Sequence, residues 1–266
     1  MFRPKRLGLV AAGTAVVSLS VLASVAFASH AWGTYHWART ANPLTLKLGD
    51  NVSPVWDASL NGASSDWSSS TILDTLVVPG NTNAIKGKNT PKNCLPTSGR
   101  VELCNSKYGR NGWLGVASIW ASGSHITQGT VKLNDTYFNT AKYNTPAWRN
   151  LVLCQEVGHT FGLDHQDEDF ANAPLGTCMD YTSDPTSNQH PNAHDYEELA
   201  IIYAHLDTTT TAFAKAALPQ AAAADVSDRD EDWGRVIRKS KDGKSSLYER
   251  DLGNGQKLFT FVVWAR

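Results

Sequence analysis

A glutamine, a glutamate and two histidines stand near the middle of the chain at spacings that can hold a metal ion. In the stretch 151–165, Gln155 and His159 are four residues apart, so on a helix they project from one face and can converge on one ion. Glu156 is the neighbour of that face. A carboxylate beside a bound metal can take a proton from the metal's water and later hand it to a leaving amine. Gly162 lies three residues past His159, where a helix can stop on a left-handed residue and turn the chain back, bringing His165 to the same ion. The expected donors are therefore two imidazoles, His159 and His165, and one weaker group, the neutral amide oxygen of Gln155.

These residues need a helix to carry them and a sheet to support it. Thr145 can cap the helix, Pro146 suits its first turn, and Trp148, Leu151, Val152 and Val157 give it a buried stripe that ends by Gly162. Upstream, 44–48 alternates like a strand, 53–67 has helical apolar spacing through Val55, Trp56, Leu60 and Trp67, and 71–78 reads as the next strand, in the order β-α-β. Two further strands are expected at 113–120 and 126–133, the second ending at Asn134 and Asp135. Downstream, 192–205 carries Tyr196, Leu199, Ile202 and Tyr203 at helical spacing. His190, His194 and His205 there read as surface or cap residues rather than ligands.

With glutamine in place of its first histidine, 155–165 resembles the metzincin metalloproteases, whose long pattern is H-E-x-x-H-x-x-G-x-x-H followed later by a Met-turn. Every other fixed position is matched, and 157–165 looks most like the matrixin branch. Residues 176–181, Gly-Thr-Cys-Met-Asp-Tyr, sit at a suitable distance for the Met-turn; Met179 is the only methionine besides the initiator. The order Met-x-Tyr is similar to that of astacins and serralysins, which implies Tyr181 as a further ligand or an oxyanion donor. The resemblance implies an α+β catalytic domain over 29–207, a twisted mixed sheet with an active-site helix and a closing C-terminal helix. It also implies zinc, a protein or peptide substrate, Glu156 as general base, and a segment, 125–134, bordering a cleft where substrate lies extended along a sheet edge. For the position that Gln155 fills, three donors stay open: its own oxygen, Tyr181, or a histidine from elsewhere such as His125. The alternative outcome is a metzincin-like protein that binds peptide without cleaving it.

Composition agrees with a secreted, folded protein. The chain has 266 residues, 41% of them hydrophobic, enough for one full core plus an accessory piece. A net charge of −1 argues against a nucleic-acid partner, and nine tryptophans and eight tyrosines without basic clustering suit core packing and a peptide groove better than base stacking. Residues 1–28 have a basic head, an apolar run and a small-x-small ending at Ala26-Phe27-Ala28, the form of a cleaved signal peptide. An uncleaved anchor is the competing reading. After cleavage the protein is expected extracellular, off the membrane and monomeric. No separate pro-segment is apparent between Ala28 and the first strand.

Four cysteines read as disulfides in an oxidising compartment, with three connectivities open. The favoured pairs are Cys94 with Cys104, closing a local lobe, and Cys154 with Cys178, tying the metal helix to the Met-turn. A Cys154 thiolate on the metal is weaker, because Cys154 points about 100° away from the ligand face. A tether is expected at 208–227, then a small β-meander at 228–266 with strands at 233–238, 245–250 and 258–264. Three short strands are about the minimum for independent stability, so this unit is expected to lean on the larger domain.

Overall fold

Leu44, Leu46 and Leu48 fall on one side of an extended segment, the alternation a strand needs when a helix covers one face. In the computed structural model, which describes residues 29–81, 92–213 and 227–265, a two-residue β1 (His36–Trp37) precedes that strand, β2 (Leu44–Asn51). There follow α1 (Asp57–Trp67), β3 (Leu73–Pro79), β4 (Arg100–Ser106), β5 (Trp113–Ser122), β6 (His125–Asn134) and the single turn α2 (Asp135–Phe138). The chain continues through α3 (Pro146–His159), α4 (Ala193–Ile202), β7 (Arg235–Lys239), β8 (Ser245–Gly253) and β9 (Gln256–Trp264). The expected leader and the middle of the expected tether, 214–226, lie outside the described residues. No helix among the described residues is long and apolar enough to cross a membrane.

Among the described residues the nine strands belong to one mixed sheet in the order β3-β2-β4-β6-β5-β9-β8-β7, with β1 beside β6. β3, β2, β4 and β6 run parallel; β5 is antiparallel to β6, and the pairs from β5 to β7 continue antiparallel. With its helices this makes an α+β protein. Trp32, Trp37, Trp56, Trp67, Trp113, Trp120 and Trp233 are buried, so the tryptophans mostly build the core.

Three expectations change. No strand is expected from sequence at β4. β4 is a central strand between β2 and β6, and its signal is weak because the buried carboxylate of Glu102 sits at its middle. That charge is matched by Arg100 and by hydrogen bonds from Thr97 and from Asn51 at 2.8 Å.

The segment 125–134 does not border an open edge. β6 is paired on both sides, with β4 and β5.

The C-terminal meander is not a separate unit. β9 pairs along β5, Ala117 opposite Phe261, because both faces of β9 are apolar and need cover. Phe259, Phe261 and Val263 enter the main core, whereas Leu258 and Val262 enter a second cluster with Trp113, Trp120 and Trp233. A free three-stranded meander buries only one such face. The start of the expected tether is also held, since Thr211 and Phe213 donate backbone hydrogen bonds to Ala38 and Gly99, each at 3.0 Å.

Candidate metal centre

α3 begins as its sequence dictates. Thr145 accepts a hydrogen bond from the Trp148 amide at 3.3 Å, and Pro146 occupies the first turn. Its other end is finished by side chains from distant parts of the chain. The last carbonyls of a helix have no intrahelical donor. Here the Trp32 indole donates to the His159 carbonyl at 2.9 Å, the Trp37 indole to Thr160 at 2.8 Å and the Tyr203 hydroxyl to Phe161 at 2.9 Å. Gly162 then takes a positive φ of 103°, and a Cβ there would lie 2.5 Å from the Tyr35 carbonyl oxygen. This turn brings His165 back onto His159, their ring centres 4.5 Å apart.

The Met-turn candidate packs under the helix. The sulfurs of Cys154 and Cys178 are joined, as are those of Cys94 and Cys104, so the pairs favoured from sequence are the pairs formed and no thiolate is available at Cys154. Met179 is fully buried against Gly158, where a Cβ would stand 2.5 Å from the Met179 sulfur and 2.8 Å from Trp67. The Tyr181 ring lies 4.0 Å from that of His165 and stacks on Phe170 at 4.6 Å.

The polar groups at this junction are buried and short of partners. His159 Nδ1 is 2.9 Å from the Leu163 carbonyl; a carbonyl only accepts, so Nδ1 carries the proton and Nε2 is a bare, buried lone pair. His165 Nδ1 faces Asp164 at 3.3 Å, leaving its Nε2 equally bare. Burial, reinforced by the charge of His165, holds His159 well below the usual imidazole range. His165 is lowered by burial against the opposing pull of Asp164, so both rings favour the neutral form a metal requires. Neither oxygen of Glu156 makes a well-formed hydrogen bond; burial lifts its pKa well above the carboxylate range, only partly offset by the Ala117 amide. Gly115 of β5 makes room for it, since a Cβ there would be 2.6 Å from Oε1. Burial also raises Tyr181, whose hydroxyl lacks a well-formed partner.

Gln155 behaves differently. Its amide nitrogen donates to the Cys178 carbonyl at 3.0 Å, tying α3 to the Met-turn and leaving only its oxygen end as a donor to an ion. His125 is not near this junction's ligand set; it faces Asp207 at 3.2 Å. Of the residues expected to act together, His159, His165 and Tyr181 meet in ring contact, with Glu156 three residues before His159 on α3 and packed against Gly115 of β5; the bare nitrogens of two neutral imidazoles beside a phenol suit zinc.

The junction is closed. Phe261 of β9 stacks on the His159 ring at 4.1 Å and 13°, while Arg238 of β7 grips the Asp164 carboxylate with both nitrogens and reaches Glu168 at 3.0 Å. Burial opposes ionisation of Asp164, but the hydrogen bond and charge of His165 and of Arg238 hold it well below the usual carboxylate range.

A second gathering of histidines escaped the sequence reading. Nε2 of His36, His125 and His205 lie 3.6, 3.2 and 3.5 Å from one oxygen of Asp207. These residues share no spacing pattern, apart from the short His205-x-Asp207 pair. No protein-family model and no curated protein matches the chain.

Proposed function

We propose that the chain is a secreted zinc endopeptidase of metzincin type, latent in the closed form described above. One observation carries this reading: His159, His165 and Tyr181 meet, with Glu156 three residues before His159 on α3, and all four are buried with polar atoms lacking well-formed hydrogen bonds. Each such group costs roughly 1–3 kcal/mol of stability unless something satisfies it. The leader-like residues 1–28 and the two disulfides support an extracellular site of action.

Zinc, when bound by His159, His165 and the oxygen donors, would acidify water and polarise a peptide carbonyl. Glu156, kept basic enough to accept a proton by its dry setting, takes the proton of the attacking water and delivers it to the leaving nitrogen. Tyr181 donates its hydroxyl hydrogen to the developing oxyanion. β5 would offer an extended substrate its backbone groups. In the closed form β9 holds that edge and Phe261 covers His159, so turnover requires β7–β9 to move aside.

The test is zinc binding together with hydrolysis of an unfolded protein by the full chain. Arg238→Ala, which loosens β7, should turn over faster than wild type, and adding Glu156→Ala should lower that rate about 10²-fold or more while zinc content is kept. Zinc stoichiometry unchanged by His159→Ala/His165→Ala would overturn the reading. A second reading, a metzincin-like protein that binds peptide without cleaving it, is favoured by the engagement of Gln155 with the Cys178 carbonyl. It predicts peptide binding with no hydrolysis in either variant.

A further inference from the structure

Three imidazoles from three parts of the chain point at one carboxylate oxygen, and the arrangement carries an electrostatic conflict. His36 Nδ1 is 2.9 Å from the Thr34 carbonyl. That carbonyl can only accept, so Nδ1 holds the ring proton and Nε2 of the neutral ring is a lone pair. It is buried, without a hydrogen-bond partner, and faces Asp207 Oδ1 at 3.6 Å. Two lone pairs at that distance repel. A proton on Nε2 or a metal ion between them removes the conflict.

The remaining geometry suits such an ion. The His125 and His205 rings stand edge-on to His36, with centres 5.0 and 4.9 Å away. Asp207 is fixed from behind: its Oδ2 accepts from the Arg39 amide at 2.9 Å, and its own amide donates to the Arg39 carbonyl at 2.7 Å. Donors about 2.0–2.1 Å from a tetrahedral zinc lie about 3.3–3.4 Å from one another. The His36 and His205 nitrogens lie 3.6 and 3.5 Å from Asp207 Oδ1, just above that value, and the three donor atoms all lie within 4.8 Å of one another.

The protein's own cation does not serve this place. The Arg39 guanidinium is turned toward the Asn42 side chain and the carbonyls of Ala41 and Tyr203. The other acidic histidine cluster, Asp164, His165 and Glu168, differs in this respect because Arg238 sits on both carboxylates.

We infer that His36, His205 and Asp207 form a zinc site of their own, with His125 beside Asp207, separate from the α3 centre and independent of the function proposed for it. Two imidazoles and one carboxylate make a three-donor set with a fourth position left for water. The ion would bind β1 to the segment that follows α4, a long-range cross-link within the chain.

Chelator competition on the full chain tests this in wild type, His205→Ala and His159→Ala/His165→Ala. The His205 side chain is 57% exposed, so its loss should leave the fold intact. The α3 double variant should keep one tightly held zinc, and Co2+ in its place should give the strong visible bands of tetrahedral coordination. His205→Ala should lose one equivalent, its affinity falling at least about 10²-fold, since loss of a ligand should exceed the effect of outer partners. One ion in wild type retained by the double variant would support this site and count against the α3 centre. Should the double variant not fold, wild type against His205→Ala and Asp207→Ala still decides, because both must lose one equivalent. A His205→Ala protein with the zinc stoichiometry and affinity of wild type would overturn the inference and leave a plain histidine–aspartate ion pair.

Discussion

The two histidine clusters use the same chemical parts in opposite settings. At His159 and His165 the aspartate partner is satisfied by a built-in guanidinium, the rings are covered by Phe261, and the chain has sealed the junction with its own last strand. At Asp207 the rings of His125 and His205 reach solvent, and among the described residues no lysine or arginine pairs with Asp207 through its side chain. The difference teaches that a histidine cluster is read from what supplies its positive charge. Where the protein supplies it, the cluster is held shut and must be opened before an ion can enter; where the protein does not, the cluster is free to take its charge from outside.

The largest effect should come from breaking the seal. Phe261 is 1% exposed, and Phe261→Ala should cost about 3–5 kcal/mol in denaturant unfolding; a loss below 1 kcal/mol, on the scale of a surface change, would mean β9 is not integral to the core. Arg238→Ala should be milder, about 1–3 kcal/mol, because the guanidinium is partly exposed and a buried ion pair's full value does not apply. An unchanged unfolding midpoint would show that Asp164 finds another partner. Trp32→Phe removes one donor from the end of α3 while keeping the ring, so about 1 kcal/mol should be lost. His205→Ala measured with a chelator present should lie within about 0.5 kcal/mol of wild type. A larger metal-free loss would show that the open cluster also belongs to the packing, and the contrast would fail.

The helix was legible in detail because its signals are local: Thr145, Pro146 and the apolar stripe fix its start, and Gly162 its end. The gathering of Glu156, His159 and His165 follows from the same short spacing. β4 was not legible, since its central position is stabilised by partners of Glu102 that lie elsewhere in sequence. Nor could spacing reveal that Trp32, Trp37 and Tyr203 close the end of α3, or that His36 and His125 meet His205 and Asp207. Those contacts exist only once β1 has paired with β6. The placement of β9 was hidden for a related reason: three alternating strands look alike whether they stand alone or extend a sheet, and only the apolar character of both faces separates the cases.

The pairing of β9 with β5 also decides where the sheet ends. Without it, the long apolar β5 would be an open border, the kind of surface that recruits strands from other molecules. With it, the outermost strands are β3, which carries Asp74 and Pro79, and β7, five residues long with Arg235, Arg238 and Lys239. Short length, charge and proline discourage strand addition. β9 thus converts a sticky border into a repellent one, and a chain stopped before Gln256 should be soluble only while something else holds β5.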